Sequence, residues 1–210
     1  WPNLGNGLAN SPNLGNGMHG IDVFGRSRDV TIDNNRIVDN GMSGVSVATG
    51  SANVVLTNNQ IGVFVHPVTG NVHAAGNDAD GVTINAANGN TVGSGNVIGH
   101  NLGSGVRVEN SVAAGLATGN RVTGSEIFGN REHGVHITGS SRQTIGGYGA
   151  ADGNVVKENN QDGIRLETDP RIRASAAPQG NLVTGNFVGT NGNQEIDGGW
   201  GNRAGIAVMN

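Results

Sequence analysis

The chain repeats one eight-residue motif, NxxxG[VI]x[VIL], and this repetition restricts the folds open to it more than any other feature. Each copy has a turn-forming asparagine, a glycine, and then two apolar residues separated by one position. Because side chains alternate between the two faces of a β-strand, each copy predicts a short strand with one buried face. The copies are NGMHGIDV from Asn16, NGMSGVSV from Asn40, NDADGVTI from Asn77, NLGSGVRV from Asn101, NREHGVHI from Asn130, NNQDGIRL from Asn159 and a shifted copy, GNRAGIAV, from Gly201.

The spacing of these copies predicts a solenoid. The basic unit is about 24 residues long, which falls within the range of repeat architectures. Each unit carries two further strand signals, which in the first unit are Val30–Ile32 and Arg36–Val38. Three short strands per turn predict coils of triangular section, which stack about 4.8 Å apart into three parallel sheets. We call one such turn a rung.

The apolar positions and the composition agree with this prediction. The 38 glycines suit turns and would weaken helix interiors. Apolar residues at equivalent positions are expected to stack as a ladder inside the coil. This ladder is predicted to contain Ile21, Val45, Val82, Val106, Val135, Ile164 and Ile206.

The asparagine of the motif is interpreted as structural. In a stack of rungs, its amide can hydrogen-bond the equivalent amides above and below, which satisfies polar groups of the turn. The predicted asparagine ladder contains Asn16, Asn40, Asn77, Asn101, Asn130 and Asn159.

The repeat predicts one elongated stack with two segments of unequal size. Residues 1–17 are interpreted as a partial rung or long turn at a truncated end, and residues 18–210 as the solenoid. Neither end carries a polar cap, so we expect a segment of a longer protein or ends that stack on other copies. Insertions at Gly62–Ala75 and Gly189–Gly201 fall after the third strand and are expected to project from one edge.

Charge and composition exclude several classes of function. The net charge is −4, so no overall basic surface is available for nucleic acid. No stretch reaches the roughly 18 apolar residues of a membrane span. There is no cysteine, so disulfide frameworks and thiolate metal sites are excluded.

The motif and its preceding N-x-[IV] turns resemble the repeat of right-handed parallel β-helix proteins in the pectate-lyase-like superfamily. The segment IGVFVHPVTGNVHAAGN resembles a long corner of bacterial surface proteins with such repeats. The resemblance implies an all-β, right-handed single-stranded parallel β-helix of about seven rungs. It also implies a secreted or cell-surface location and, among the activities of relatives, polysaccharide lyase, uronate epimerase or glycosidase chemistry, or none.

The outward residue of each motif strand is the most informative position for function. On three successive rungs this residue is Arg107, His136 and Arg165, at a spacing of about 4.8 Å. Neighbouring outward columns add further ionisable residues on the same rungs. These are His133, Asp162, Glu109 and Glu167.

Two interpretations of this cluster remain open. In the first, Glu109 neutralises Arg107 and Glu167 neutralises Arg165, as a solvated charge ladder. In the second, both arginines bind carboxylates of successive sugar units. His136 or His133 would then accept a proton, and Arg107 and Arg165 would assist by neutralising the substrate.

Other positions carry less information. Trp200 in a glycine-rich corner is a candidate for stacking on a sugar face. The stretch Asp78–Gly81 resembles a calcium loop but lacks further oxygen ligands, so we interpret it as a turn and predict no cofactor. The pectate-lyase pattern is incomplete, since there is no acidic calcium cluster and the single lysine, Lys157, is predicted on another sheet.

The sequence therefore predicts a β-helix that recognises a polymer, with an acidic polysaccharide such as a polyuronate as the favoured ligand. Lyase or epimerase catalysis is an open alternative. A structural role, as a segment of an adhesin or a head-to-tail fibre, is the competing class.

Overall fold

Every regular element of the described chain is a β-strand. The computed structural model describes residues 15–111, 118–169, 179–189 and 201–209, and strands β1 to β21 lie within these ranges. The predicted boundary at residue 17 adjoins residues outside the described ranges, so the division into a partial end rung and a solenoid stays a prediction. In the part of the chain that the structure describes, no helix has the length and hydropathy needed to cross a membrane.

The copies of the repeat motif form one seven-stranded parallel sheet, which we call the motif sheet. Each strand of this sheet pairs with the equivalent strand of the next rung, so none of its strands pairs with the strand that follows it directly in sequence. Its strands are β1 (Ile21–Val23), β4 (Val45–Val47), β9 (Val82–Asn85), β12 (Val106–Glu109), β15 (Val135–Thr138), β18 (Ile164–Glu167) and β21 (Ile206–Met209).

The other two strands of each rung build two six-stranded parallel sheets. The second sheet contains β2 (Thr31–Asp33), β5 (Val55–Thr57), β10 (Thr91–Val92), β13 (Arg121–Val122), β16 (Thr144–Gly146) and β19 (Leu182–Thr184). The third sheet contains β3 (Arg36–Ile37), β6 (Gln60–Ile61), β11 (Val97–Gly99), β14 (Glu126–Phe128), β17 (Val155–Lys157) and β20 (Phe187–Val188). The predicted parallel β-helix with about seven rungs is confirmed.

The core is a set of aliphatic ladders inside the three sheets. On the motif sheet, Val82, Val106 and Val135 are paired in register and fully buried. The residue two positions later repeats the pattern, because alternate side chains face the same side of a strand. Ile84, for example, is also fully buried. Each such side chain contributes about 2 kcal/mol of hydrophobic stabilisation.

The glycine of the motif is required for close packing between rungs. Its backbone angles lie outside the left-handed region, so conformational freedom is not the reason for it. At Gly81, a Cβ atom would lie 2.6 Å from the Gly105 carbonyl oxygen, 2.6 Å from Ile98 Cγ2 and 2.9 Å from Asn101 Nδ2. The equivalent contacts recur at Gly20, Gly44, Gly105, Gly134 and Gly163.

Stacked amides occupy the corner that precedes each motif strand. Each asparagine donates from Nδ2 to Oδ1 of the asparagine on the next rung, over 2.7–3.0 Å. The same Oδ1 also accepts the main-chain N–H of the preceding asparagine. This ladder contains Asn16, Asn40, Asn77, Asn101, Asn130, Asn159 and Asn202.

Shorter amide ladders stabilise the other two corners. Before the third sheet, Asn35, Asn59 and Asn96 are linked by side-chain bonds of 3.1 and 3.0 Å. Before the second sheet, Asn120 accepts from Asn90 and donates to Gln143, over 3.0 Å in each case. Because buried polar groups are costly without partners, these bonds fix the register of the rungs.

The insertion at Gly62–Ala75 forms an antiparallel hairpin of β7 (Val63–Val65) and β8 (Val72–Ala74). Phe64 lies between His73, whose ring centroid is 5.7 Å away, and the Arg36 guanidinium at 3.9 Å. The hairpin is therefore fastened to the third sheet. Of the insertion predicted at Gly189–Gly201, residues 190–200 lie outside the described ranges.

Candidate ligand-binding groove

The outward column of the motif sheet brings Arg107, His136 and Arg165 together. The strand register pairs Arg107 with His136 and His136 with Arg165. Thr83 and Ala207 occupy the same column on the flanking rungs. Residues 58 positions apart in sequence therefore lie on one face within three rungs.

Arg107 is held by two carboxylates and one imidazole. Its Nε donates to Asp80 Oδ2 over 2.8 Å, and its Nη2 donates to Glu132 Oε2 over 2.6 Å. Its Nη1 lies 2.8 Å from His136 Nδ1. Burial disfavours the guanidinium charge, but the two carboxylates outweigh this effect and raise the pKa of Arg107.

Arg165 is held in a similar way by two carboxylates of its own rung. Its Nε donates to Glu167 Oε2 over 2.8 Å, and its Nη1 donates to Asp162 Oδ2 over 3.0 Å. Asp162 also accepts from Arg203 Nη2 at 3.1 Å. Burial alone would raise the pKa of Asp162, but the hydrogen bonds from Arg165 and Arg203 lower it. This carboxylate is therefore ionised and shared by two guanidinium groups.

His136 is a neutral imidazole bridging the two arginine clusters. Because a guanidinium only donates, His136 Nδ1 must accept from Arg107, which places the ring proton on Nε2. That Nε2–H lies 2.8 Å from Glu167 Oε1. Burial and then the charge of Arg107 lower the pKa of His136, so the ring is uncharged near pH 7.

His133 is the second neutral imidazole. Its Nδ1 accepts the main-chain N–H of Asp162 over 3.1 Å, so its proton also sits on Nε2. The ring centroid lies 4.7 Å from that of His136. Burial and then the neighbouring His136 lower the pKa of His133 to about 4. In both rings, the nitrogen with the lone pair already accepts a hydrogen bond.

The charge pairing differs from the sequence prediction at one position. Glu167 pairs with Arg165, over 2.7 Å from Nη2. The ion pairs of Arg107 are with Asp80 and Glu132 and not with the predicted Glu109, whose Oε1 accepts from Asn85 Nδ2 over 2.7 Å. The strand register predicts the position of Glu109 correctly. The Arg107 side chain, however, extends towards Asp80 and Glu132.

Sequence reasoning missed Glu132, Gln161 and Arg203. They share one corner column, two residues before the motif glycine, where main-chain bonds link successive rungs. The earlier rungs carry Met18, Met42, Ala79 and Gly103 in this column. The switch from apolar to polar residues on the last three rungs was the available signal.

These residues line an open groove with a volume of about 590 Å³. Three guanidinium groups and four carboxylates meet around it, so the cluster carries a net charge of −1 at neutral pH. The groove thus offers both donors and acceptors to a polar ligand. Its lining consists of Arg107, Glu132, His133, His136, Gln161, Arg165, Glu167, Arg203 and Met209.

Two other candidate sites have separate outcomes. Trp200 lies outside the described residues, so its predicted role as a sugar platform stays a prediction. Among the residues the structure describes, no group of three or more His, Asp or Glu is arranged to hold a metal ion. Within the predicted turn at Asp78–Gly81, Asp80 accepts the Ser104 N–H at 2.7 Å and the Thr83 hydroxyl at 3.0 Å.

The three parallel sheets and the groove across one of them define a solenoid of the parallel β-helix class. The family model described as right handed beta helix region matches residues 10–148, which is more than half of the sequence. The chain belongs to this family.

Two solved enzymes share this fold. A point mutant of the periplasmic alginate epimerase AlgG is 20% identical, with a TM-score of 0.62 over 92% of this chain and 42% of that chain. The A-module of the mannuronan C-5 epimerase AlgE4 from Azotobacter vinelandii is 17% identical, with a TM-score of 0.56 over 86% of this chain and 48% of that one. The chain therefore spans less than half the length of either. No curated protein sequence matches it.

Proposed function

We propose that the groove on the motif sheet binds an acidic polysaccharide, with the polymer lying along the solenoid axis. Arg107, Arg165 and Arg203, which lie on the fourth, sixth and seventh rungs of one groove, carry this proposal, since the rung spacing of about 4.8 Å is close to the length of a sugar unit. Guanidinium groups bind carboxylates in bidentate geometry, and the neighbouring carboxylates accept hydrogen bonds from sugar hydroxyls. The two structural neighbours are named as epimerases of alginate and of mannuronan, and these names support a uronic-acid polymer as the ligand.

Arg203 is the cation best placed for the first contact. Its side chain is 62% exposed, whereas those of Arg107 and Arg165 are 21% and 16% exposed. Its contacts with Asp162 use Nε and Nη2, and Nη1 makes no hydrogen bond to the residues that the structure describes. An incoming carboxylate reaches this group without breaking a buried ion pair.

Proton transfer at the carbon beside the uronate carboxylate is a second candidate function. Two adjacent neutral imidazoles favour it, because a proton acceptor must be uncharged at working pH. Their Nδ1 atoms, however, accept bonds from Arg107 and from the Asp162 N–H. Catalysis would require one of these bonds to open, so binding is the better supported function.

A polysaccharide ligand implies a secreted, periplasmic or cell-surface location, since such polymers lie outside the cytoplasm. The competing prediction of a structural segment that stacks end to end leads to a different result in the same experiment. A purely structural segment has no preference for uronic-acid polymers over neutral ones.

Binding can be tested by calorimetry with oligomannuronate, oligoguluronate and oligogalacturonate, against a neutral mannan. We expect binding of at least one uronate oligomer and a roughly fivefold loss with Arg203→Ala. Arg121→Ala is the matched control, since Arg121 is exposed on the second sheet. The proposal fails if no uronate binds or if both variants weaken binding equally. Nuclear magnetic resonance of the recovered polymer and ultraviolet absorbance then test for epimerised and unsaturated products.

A further inference from the structure

The two carboxylates that hold Arg107 differ in how firmly they are fixed. The Asp80 side chain is 10% exposed, and the Glu132 side chain is 40% exposed. Asp80 also accepts bonds from the Ser104 N–H and the Thr83 hydroxyl, so it cannot leave without orphaning buried donors. Asp80 is therefore a permanent partner of the arginine.

Within the described ranges, the hydrogen bonds of the Glu132 side chain are made by its carboxylate tip. Its Oε2 accepts from Arg107 Nη2 at 2.6 Å and lies 3.4 Å from the Ser104 hydroxyl. The residue lies at the corner of the rung and lines the open groove. Rotation of its side chain into solvent would expose Nη2 and leave the remaining contacts of Arg107 in place.

We propose that Glu132 is an internal competitor, which occupies the position on Arg107 that a ligand carboxylate takes on binding. The inference rests on the proposed binding of acidic polysaccharide and names the residue that limits its affinity. The carboxylate of one sugar unit replaces Glu132 on Nη2, and Glu132 turns into solvent. Specificity follows, because a neutral sugar has no group able to replace an ion pair.

The exchange has an electrostatic signature. When a ligand carboxylate replaces Glu132, one ion pair is broken for each one formed, so this contact adds little to the salt dependence of binding. Without the Glu132 charge, the ligand forms a new ion pair and loses a nearby like charge. Affinity should then increase and become more sensitive to salt.

The test compares Glu132→Gln with Glu126→Gln by calorimetry with oligomannuronate at low and high salt. Glu126 is a close match, because its side chain is 42% exposed and paired with Lys157 at 2.8 Å, but on the third sheet. We expect Glu132→Gln to bind about fivefold more tightly and with a steeper salt dependence, as for removal of a like charge about 5 Å away through water. Glu126→Gln should match the wild type.

Glu132→Ala provides a second variant, in which no side chain remains to compete, and it should bind at least as tightly as Glu132→Gln. Thermal unfolding of each variant checks the fold. If the wild type binds oligomannuronate but neither Glu132 variant binds more tightly, the competitor role is wrong and the binding proposal stands. Equal gains with Glu126→Gln would also overturn it, since they reflect overall charge. If neither the wild type nor any variant binds oligomannuronate, oligoguluronate or oligogalacturonate, the proposed function itself fails.

Discussion

Asparagine ladders in the corners are expected to stabilise the fold, and Asn101→Ala tests this directly. Asn101 is fully buried. Its Oδ1 accepts from the Asn77 side chain at 2.8 Å and from the Asn77 N–H at 3.2 Å, while its Nδ2 donates to Asn130 at 3.0 Å. The alanine variant leaves both donors of Asn77 and one acceptor of Asn130 without these partners.

The expected loss follows from the number of orphaned groups. A buried donor left unsatisfied costs about 1–3 kcal/mol, so two donors predict a loss of about 4 kcal/mol. This is a large part of the roughly 5–15 kcal/mol that stabilises a typical domain. Urea unfolding followed by circular dichroism measures the change in the free energy of unfolding.

Asn160→Ala is the matched control for this measurement. Asn160 belongs to the same type of corner, one residue after the ladder position, but its side chain is exposed. Exposed substitutions usually change stability by less than about 0.5 kcal/mol. If Asn101→Ala and the control differ by less than about 0.5 kcal/mol, the reasoning is refuted. Water or small structural shifts would then have replaced the hydrogen bonds of Asn101.

Three further predictions concern the rungs and the groove. Gly81→Ala should cost about 3 kcal/mol in urea unfolding, because the new Cβ would overlap the next rung. Gly17→Ala should be neutral, because no atom of the described residues lies within 4 Å of its Cβ, and equal effects of the two substitutions would contradict the prediction. His133 should lower stability as the pH falls from 6.5 to about 4, since the unfolded chain takes up the proton first. In His133→Asn, the midpoint of urea unfolding should depend less on pH over that range than in the wild type. Parallel pH profiles of the two proteins would argue against the prediction. Arg107→Ala should lower the free energy of unfolding by about 2 kcal/mol, because Asp80 loses its ion-pair partner. Adding Asp80→Asn to this variant should restore part of the lost stability in thermal unfolding. No restoration would mean that the ion pair contributes nothing.

The sequence was sufficient to predict the fold because the motif determines the register. Alternation within each copy places Val106 inside and Arg107 outside, and the next copy continues both columns at Val135 and His136. The role of the glycine was less accessible. The high glycine content of the chain suggests turns. At Gly81, however, glycine is required because the next rung approaches closely, and this contact is visible only in the three-dimensional structure.

The candidate site was only partly predictable for a related reason. Register gives the column of Arg107, but not the direction of its long side chain, which depends on the nearest carboxylates. Glu132 and Arg203 lie in the corner column, where no apolar alternation marks the face of a residue. The hairpin of β7 and β8 was also missed as a hairpin, because its short alternating strands were interpreted as one long corner.

The amide ladder keeps the rungs stacked in the same way whatever the number of residues in each rung. Consecutive members of the ladder are 24, 37, 24, 29, 29 and 43 residues apart, yet the bonds between them vary only from 2.7 to 3.0 Å. In the interval of 37 residues, the extra residues form the hairpin of β7 and β8, and the sheets continue in register on either side of it. We therefore expect that a loop exchanged for this hairpin would leave the strands of the motif sheet in register.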